Sequence, residues 1–202
     1  MEKASPKRFS EFIEVALRAG ATAARIIPSR HVVIDERVRL KCEVPRCAGY
    51  GQYLTCPPDV MSVEAFSKIR SCYKWGLLVQ VEAKNIDSMD KEKGRISRAI
   101  LKENTKLHHP FKRKLLEIVE AVESAAFKEG MRFAAGLVGG SCVLCKRCVD
   151  NKILEACRHP FRARPPMRAV GIDVVKTAQK SGLPIHLSSL KNVVWTGLVL
   201  LE

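Results

Sequence analysis

The sequence predicts an α/β protein: an α+β sandwich in which a small mixed sheet packs against helices, with cysteine-rich metal-binding loops set between them. Three observations predict it. Apolar residues recur at helical spacing over several stretches, and short runs rich in Val, Ile, Leu and Trp alternate with those stretches. The cysteines gather between the periodic segments rather than within them. The chain is read as one metal-binding domain over residues 1–202, with cysteine loops at 41–59 and 139–168. At 47% hydrophobic and 28% charged it can bury a core without metal, so a bound cofactor is expected to serve function rather than folding.

Each element has its own signal. Phe9, Phe12, Ile13 and Ala16 share one face of a helix over residues 9–18, which Gly20 ends. Residues 24–40 carry β-like pieces, Ile26-Ile27 and Val32-Val33-Ile34, around Pro28. After the first cysteine loop, Asp59 is expected to cap a helix reaching about Ile69, its carboxylate accepting from the free N–H groups of the first turn. Residues 73–81 read as a buried strand, and 87–107 as a charged surface helix. His108, His109 and Pro110 form an expected junction before the clearest helix. There Phe111, Leu115, Ile118, Val119, Val122, Ala125 and Ala126 keep helical spacing until Gly130. A strand at 132–138 then delivers the chain into the second cysteine loop. A helix over 170–181 and strand-like segments at 185–187 and 193–200 complete the expected order.

Charge and context narrow the classes. The first twenty residues hold no apolar run of signal-peptide length, and residues 193–201 are too short to cross a bilayer, so a cytoplasmic protein with no membrane span is expected. In a reducing compartment, eight cysteines point to metal or redox chemistry rather than disulfides. The net charge of +14 would attract an acidic redox partner or nucleic acid. No helix-turn-helix or RNA-binding signature is present, and 6% aromatics leave few stacking platforms, which favours the acidic partner.

The sharpest signal is Cys142-x2-Cys145-x2-Cys148. A 4Fe–4S cube needs thiolates converging on separate corners of one small object, and this triple spacing is that of ferredoxin-type cluster loops. Zinc, the less favoured metal, more often takes two close pairs from separate knuckles. Gly139 and Gly140 let the backbone approach an inorganic cluster without a Cβ in the way. Eight residues separate Cys148 from Cys157, which precedes Arg158 rather than the proline of the ferredoxin pattern. Cys157 therefore either closes this cluster or crosses to a second one. That second constellation is Cys42-x4-Cys47-x8-Cys56, followed by Pro57-Pro58. If it holds a three-thiolate cluster, one iron awaits Cys157, a non-cysteine ligand or a substrate. Cys72, at the head of an apolar strand, reads as a small buried hydrophobe.

Several motifs act together. Lys41-Cys42, Cys47-Ala48-Gly49-Tyr50-Gly51, Cys56-Pro57-Pro58 and Gly139-Gly140-Ser141-Cys142 are followed by Cys157-Arg158-His159-Pro160, Arg164-Pro165-Pro166-Met167 and Gly171-Ile172-Asp173-Val174. In this order the chain resembles a cysteine-rich family of predicted metal-binding proteins common in anaerobic bacteria and archaea. The resemblance implies a metal site at Cys42, Cys47, Cys56, Cys142, Cys145, Cys148 and Cys157, leaves Cys72 outside, and favours oxygen-sensitive iron–sulfur over zinc. It implies no particular reaction.

Arg158, Arg162, Arg164 and Arg168 follow the last cysteine and either offset cluster charge or form a solvated loop. Tyr50 and Tyr53 sit within the first loop, where packing is the simpler role. Of the five histidines only His159 lies beside a cysteine motif, and residues 136–141 only loosely match a phosphate loop. Three functions are thus expected in order. The first is a protein carrying one or two 4Fe–4S clusters that transfers electrons to or from a partner. The second is an enzyme using a three-cysteine cluster with an open iron. The third is a zinc-stabilised nucleic-acid-binding module.

Overall fold

A computed structural model describes residues 6–84, 98–183, 185 and 192–202. The N-terminal part of the expected surface helix, at 87–97, lies outside the described residues, as do His186 and Leu187 of the expected strand at 185–187. Among the described residues no helix is long and apolar enough to cross a membrane.

The elements are α1 (Pro6–Arg18), β1 (Ala23–Pro28), α2 (Arg37–Glu43), α3 (Val63–Ser71), β2 (Trp75–Lys84), α4 (Arg98–Lys128), β3 (Ala135–Leu137), α5 (Val174–Lys180) and β4 (Asn192–Leu201). The strands form one sheet in the order β1-β2-β4-β3. The α/β expectation holds. All three ladders are antiparallel, and the parallel pairing expected of a mixed sheet is confined to a single bridge, Val138 to Pro166.

Alternation along the central strands sets the layers. Leu77, Val79, Val81, Val199 and Leu201 pack with Phe12 and Ala16 of α1 and with Leu115, Ile118, Val119 and Val122 of α4. Leu78, Leu198 and Leu200 project the other way, onto Ile27, Leu137, Phe66, Met167, Val170, Ile172 and Ala178. Because both faces are covered, β2 over 75–79 and β4 over 197–201 hold only apolar residues and glycine.

Four expectations are corrected. The junction at His108-His109-Pro110 is no break, since α4 runs through Pro110. Proline removes one helical hydrogen bond, but the apolar stripe of α4 continues on the sheet, and His108 stacks edge-on against Trp195 of β4 at 5.6 Å. Packing on both sides of the proline outweighs that loss. The cap of α3 is Ser62, whose Oγ accepts from the Ala65 N–H at 3.1 Å, and Asp59 is employed elsewhere. Residues 32–34 form no strand beyond one bridge, Ile34 to Ile172, and α2 carries Cys42 in its last turn. The expected helix at 170–181 divides at Gly171, which has φ 85°, into a short 3-10 turn and α5, capped by Asp173 accepting from the Lys176 N–H at 3.0 Å.

Candidate metal centre

The first cysteine loop leaves α2 and folds through a chain of tight turns. The Cys47 N–H donates to the Cys42 carbonyl and the Tyr50 N–H to the Cys47 carbonyl, both at 3.0 Å, and the Cys56 N–H to the Tyr53 carbonyl at 2.9 Å. These turns gather Cys42, Cys47 and Cys56. Burial pushes the Cys56 thiol up to about 11, with further contributions from Cys47 and Cys42. Burial also raises Cys42, helped by Cys47 and opposed by Arg168 and Arg39. Gly49 lies where the two loops come together: a Cβ there would be at ordinary contact distance, 3.4 Å from the Cys56 sulfur and 3.6 Å from Ser141 Cβ of the second loop.

The second loop is pinned at its neck. The Val138 N–H donates to the Pro165 carbonyl at 3.1 Å, and the Met167 N–H returns to the Val138 carbonyl at 2.9 Å. Everything between therefore projects as one closed excursion, anchored inward by the buried Val143 and Val149. Cys142, Cys145, Cys148 and Cys157 line a single pocket together with Tyr53, Leu144, Val149, Arg158 and His159. Burial raises the Cys142 thiol; the backbone N–H of Leu144 lowers it, and Cys145, Cys157 and Cys148 raise it. The His159 N–H donates to the Cys157 sulfur at 3.4 Å. Cys157 thus stands with the triple, on the pocket that the triple lines, rather than with the first loop.

The two loops abut. Tyr53 of the first loop lines the pocket of the second, and Cys142 contributes to the raised Cys56 thiol. Lys152 reaches back from the second loop to donate to the Gly51 carbonyl and to pair with Asp59 at 3.0 Å. Asp59, expected as a helix cap, is instead half of this strut. All eight cysteines are free thiols. Among the described residues no three His, Cys, Asp or Glu side chains stand close enough to hold a single metal ion. The second set surrounds a cavity rather than a point.

The other expected residues divide. Cys72 is exposed at the end of α3 and not buried as expected, its sulfur 3.6 Å from the Lys68 carbonyl. Arg162 pairs with Glu120 at 2.9 Å and Arg164 with Glu123 at 2.8 Å, so both clamp the loop onto α4. Arg158 stays at the pocket, holding the Arg147 carbonyl at 3.0 Å, while Arg168 lies near Cys42. In the segment 136–141, loosely matched to a phosphate loop, the Gly136 N–H is taken by the Glu123 carboxylate at 2.7 Å and the Val138 N–H by the Pro165 carbonyl at 3.1 Å. Lys112 and Lys152 were not singled out from sequence, and no spacing rule marks a lysine brought to a cysteine loop by tertiary packing.

A covered antiparallel sheet presenting seven thiols on two touching loops defines a cysteine-rich α/β protein built to hold metal. The chain belongs to the predicted metal-binding protein family DUF2284, whose sequence profile matches residues 25–201. No curated protein and no solved structure matches it.

Proposed function

We propose that the protein is an iron–sulfur electron carrier that holds a 4Fe–4S cluster on Cys142, Cys145, Cys148 and Cys157. That is the cluster of the second loop; the first cluster, that of the first loop, sits on Cys42, Cys47 and Cys56. The observation that carries this reading is the convergence of the Cys-x2-Cys-x2-Cys triple and Cys157 on one pocket, with a second thiol set against it. The donor set fits the group, since the pocket offers four thiols and no carboxylate. Bound clusters would accept and release single electrons, and the contact between the loops makes a short path from one set to the other.

The chain's own groups prepare the site. Raised thiols at Cys42, Cys56 and Cys142 hold their protons until metal displaces them, so loading releases protons and strengthens as pH rises. The His159 N–H directed at the Cys157 sulfur stabilises negative charge there. Tyr53, Leu144 and Val149 limit the access of water to the pocket. Exposed Ile153, Leu154 and Phe161 lie in the second loop, with Arg147 and Arg158 beside them in sequence. Apolar anchors among basic residues suit a docking partner with an acidic surface.

Anaerobically prepared protein should show broad visible absorbance and roughly eight irons per chain. Stoichiometric zinc in a colourless protein would refute the reading. The open-iron enzyme is a second reading, favoured by one observation. With Cys157 on the second pocket, the first set has three cysteines and no fourth. Cys157→Ser separates the alternatives: it should disturb the second cluster and leave the first intact. Loss of the first cluster alone would show that Cys157 closes that site and that no iron there is open.

A further inference from the structure

Neither proline of Arg164-Pro165-Pro166-Met167 has an N–H to give, so the arm leading out of the second cysteine loop is short of the backbone donors that fix a strand's register. It nevertheless lies along the end of β3, an edge strand, bridged in parallel from Val138 to Pro166. Backbone bonds there run from the Val138 N–H to the Pro165 carbonyl and from the Met167 N–H to the Val138 carbonyl. A side-chain pair stands beside them. Arg164 Nε donates to both Glu123 oxygens, at 3.0 and 2.8 Å, and Glu123 Oε1 also accepts from the Gly136 N–H of β3 at 2.7 Å. One carboxylate of α4 therefore holds both the strand entering the loop and the arm leaving it. Gly136 makes room for this: a Cβ there would come within 2.8 Å of Glu123 Cδ and 2.3 Å of Val119 Cγ1. The Arg164 and Glu123 side chains are 19% and 13% exposed, so solvent screens the pair little.

Cys157 lies seven residues before Arg164 and lines the same pocket as Cys142, Cys145 and Cys148. Between Cys157 and Arg164 the Arg162 and Ala163 N–H groups both donate to the His159 carbonyl, at 3.0 and 2.8 Å. The link is thus a tight turn, which passes a shift of the arm on to Cys157 rather than absorbing it. A slip of one residue along a strand edge moves the chain by about 3.3 Å and turns its side chains to the other face. That is enough to take a thiol off the pocket. We infer that Glu123 and Arg164 are positioning residues for the second loop: their pair locks the register of the exit arm and so keeps Cys157 with the triple. The lock belongs to the metal-free fold, and its effect on iron rests on the iron–sulfur reading of the second loop.

The test sets the wild-type full chain beside Arg164→Met and Arg164→Lys in two measurements. In metal-free protein, alkylation by iodoacetamide is followed cysteine by cysteine by mass spectrometry. Cys157 should react about tenfold faster in Arg164→Met, with Cys42 and Cys56 unchanged and Arg164→Lys close to wild type. In anaerobically reconstituted protein, Arg164→Met should lose the iron of the second loop to a chelator about tenfold faster, with an altered paramagnetic signal from that cluster. If Arg164→Met does not accumulate folded, the double variant Glu123→Gln/Arg164→Met, which leaves no unpaired carboxylate, carries the same expectations. Cys157 reactivity that stays at the wild-type level, or that rises equally at every cysteine, overturns the inference whatever the iron does. Wild-type protein that takes up no iron overturns the iron–sulfur reading, while the alkylation rates decide the register lock by themselves.

Discussion

The two cysteine loops are built differently although they touch. The second is a closed excursion pinned at its neck by Val138, Pro165 and Met167, with four cysteines on one pocket. The first is an open series of turns after α2, with three cysteines, cations nearby at Arg39, Arg168 and Lys112, and no fourth thiol of its own. One loop therefore gathers four thiols on one pocket and the other holds three. Equal cysteine density in a sequence thus conceals unequal coordination, and the difference lies in which thiols a pocket collects.

The largest effect should come from breaking the complete set. Cys145→Ser is expected to abolish the second cluster and leave the first, seen as loss of about half the iron with a surviving paramagnetic signal after reduction. Equal loss from both loops would mean that they fold around metal as one unit. A contrasting change on α4, Leu115→Ala, removes a fully buried side chain from the core between that helix and the sheet. It should cost about 2–5 kcal/mol in thermal or denaturant unfolding while leaving the iron content of the folded fraction unchanged.

The first loop carries a pH signature that sharpens the comparison. Burial raises the Cys56 thiol from 9.0 to about 11 in the folded state. The folded metal-free protein then binds the proton more tightly than the unfolded chain. That contribution is complete below pH 9 and is lost as pH climbs toward about 11. Metal-free wild type should accordingly lose on the order of 2 kcal/mol over that window, and Cys56→Ser should lose less. Metal loading runs in the opposite sense, improving as pH rises because protons compete with metal for the thiols.

The smallest effect should come from the strut between the loops. Lys152→Met removes the Asp59 pair and the bond to the Gly51 carbonyl, both partners being mostly buried. It should cost about 1 kcal/mol and loosen metal retention in both loops together. Retention changed in one loop only would show that each holds its own shape.

Much of this arrangement was legible from residue order. The stripe from Leu115 to Ala126, the apolar runs of β2 and β4, and the cysteine spacings all follow local periodicities that need no tertiary knowledge. What was not legible depends on contacts distant in sequence. Pro110 stays inside α4 because Trp195 and the sheet hold both halves, and Asp59 is drawn from capping to Lys152, 93 residues away. Cys72 misled because the strand it precedes starts three residues later, leaving the thiol on the exposed end of α3. Cys157 was ambiguous by spacing alone, since eight intervening residues can lead to either loop; the neck at Val138 and Pro165 turns it back to the triple.

The most direct measurement is iron and acid-labile sulfide per chain in anaerobically prepared wild type beside Cys145→Ser. The account predicts roughly eight irons falling to about four, with the remaining cluster on Cys42, Cys47 and Cys56. A colourless wild type carrying zinc, or a variant that keeps all of its iron, would contradict it.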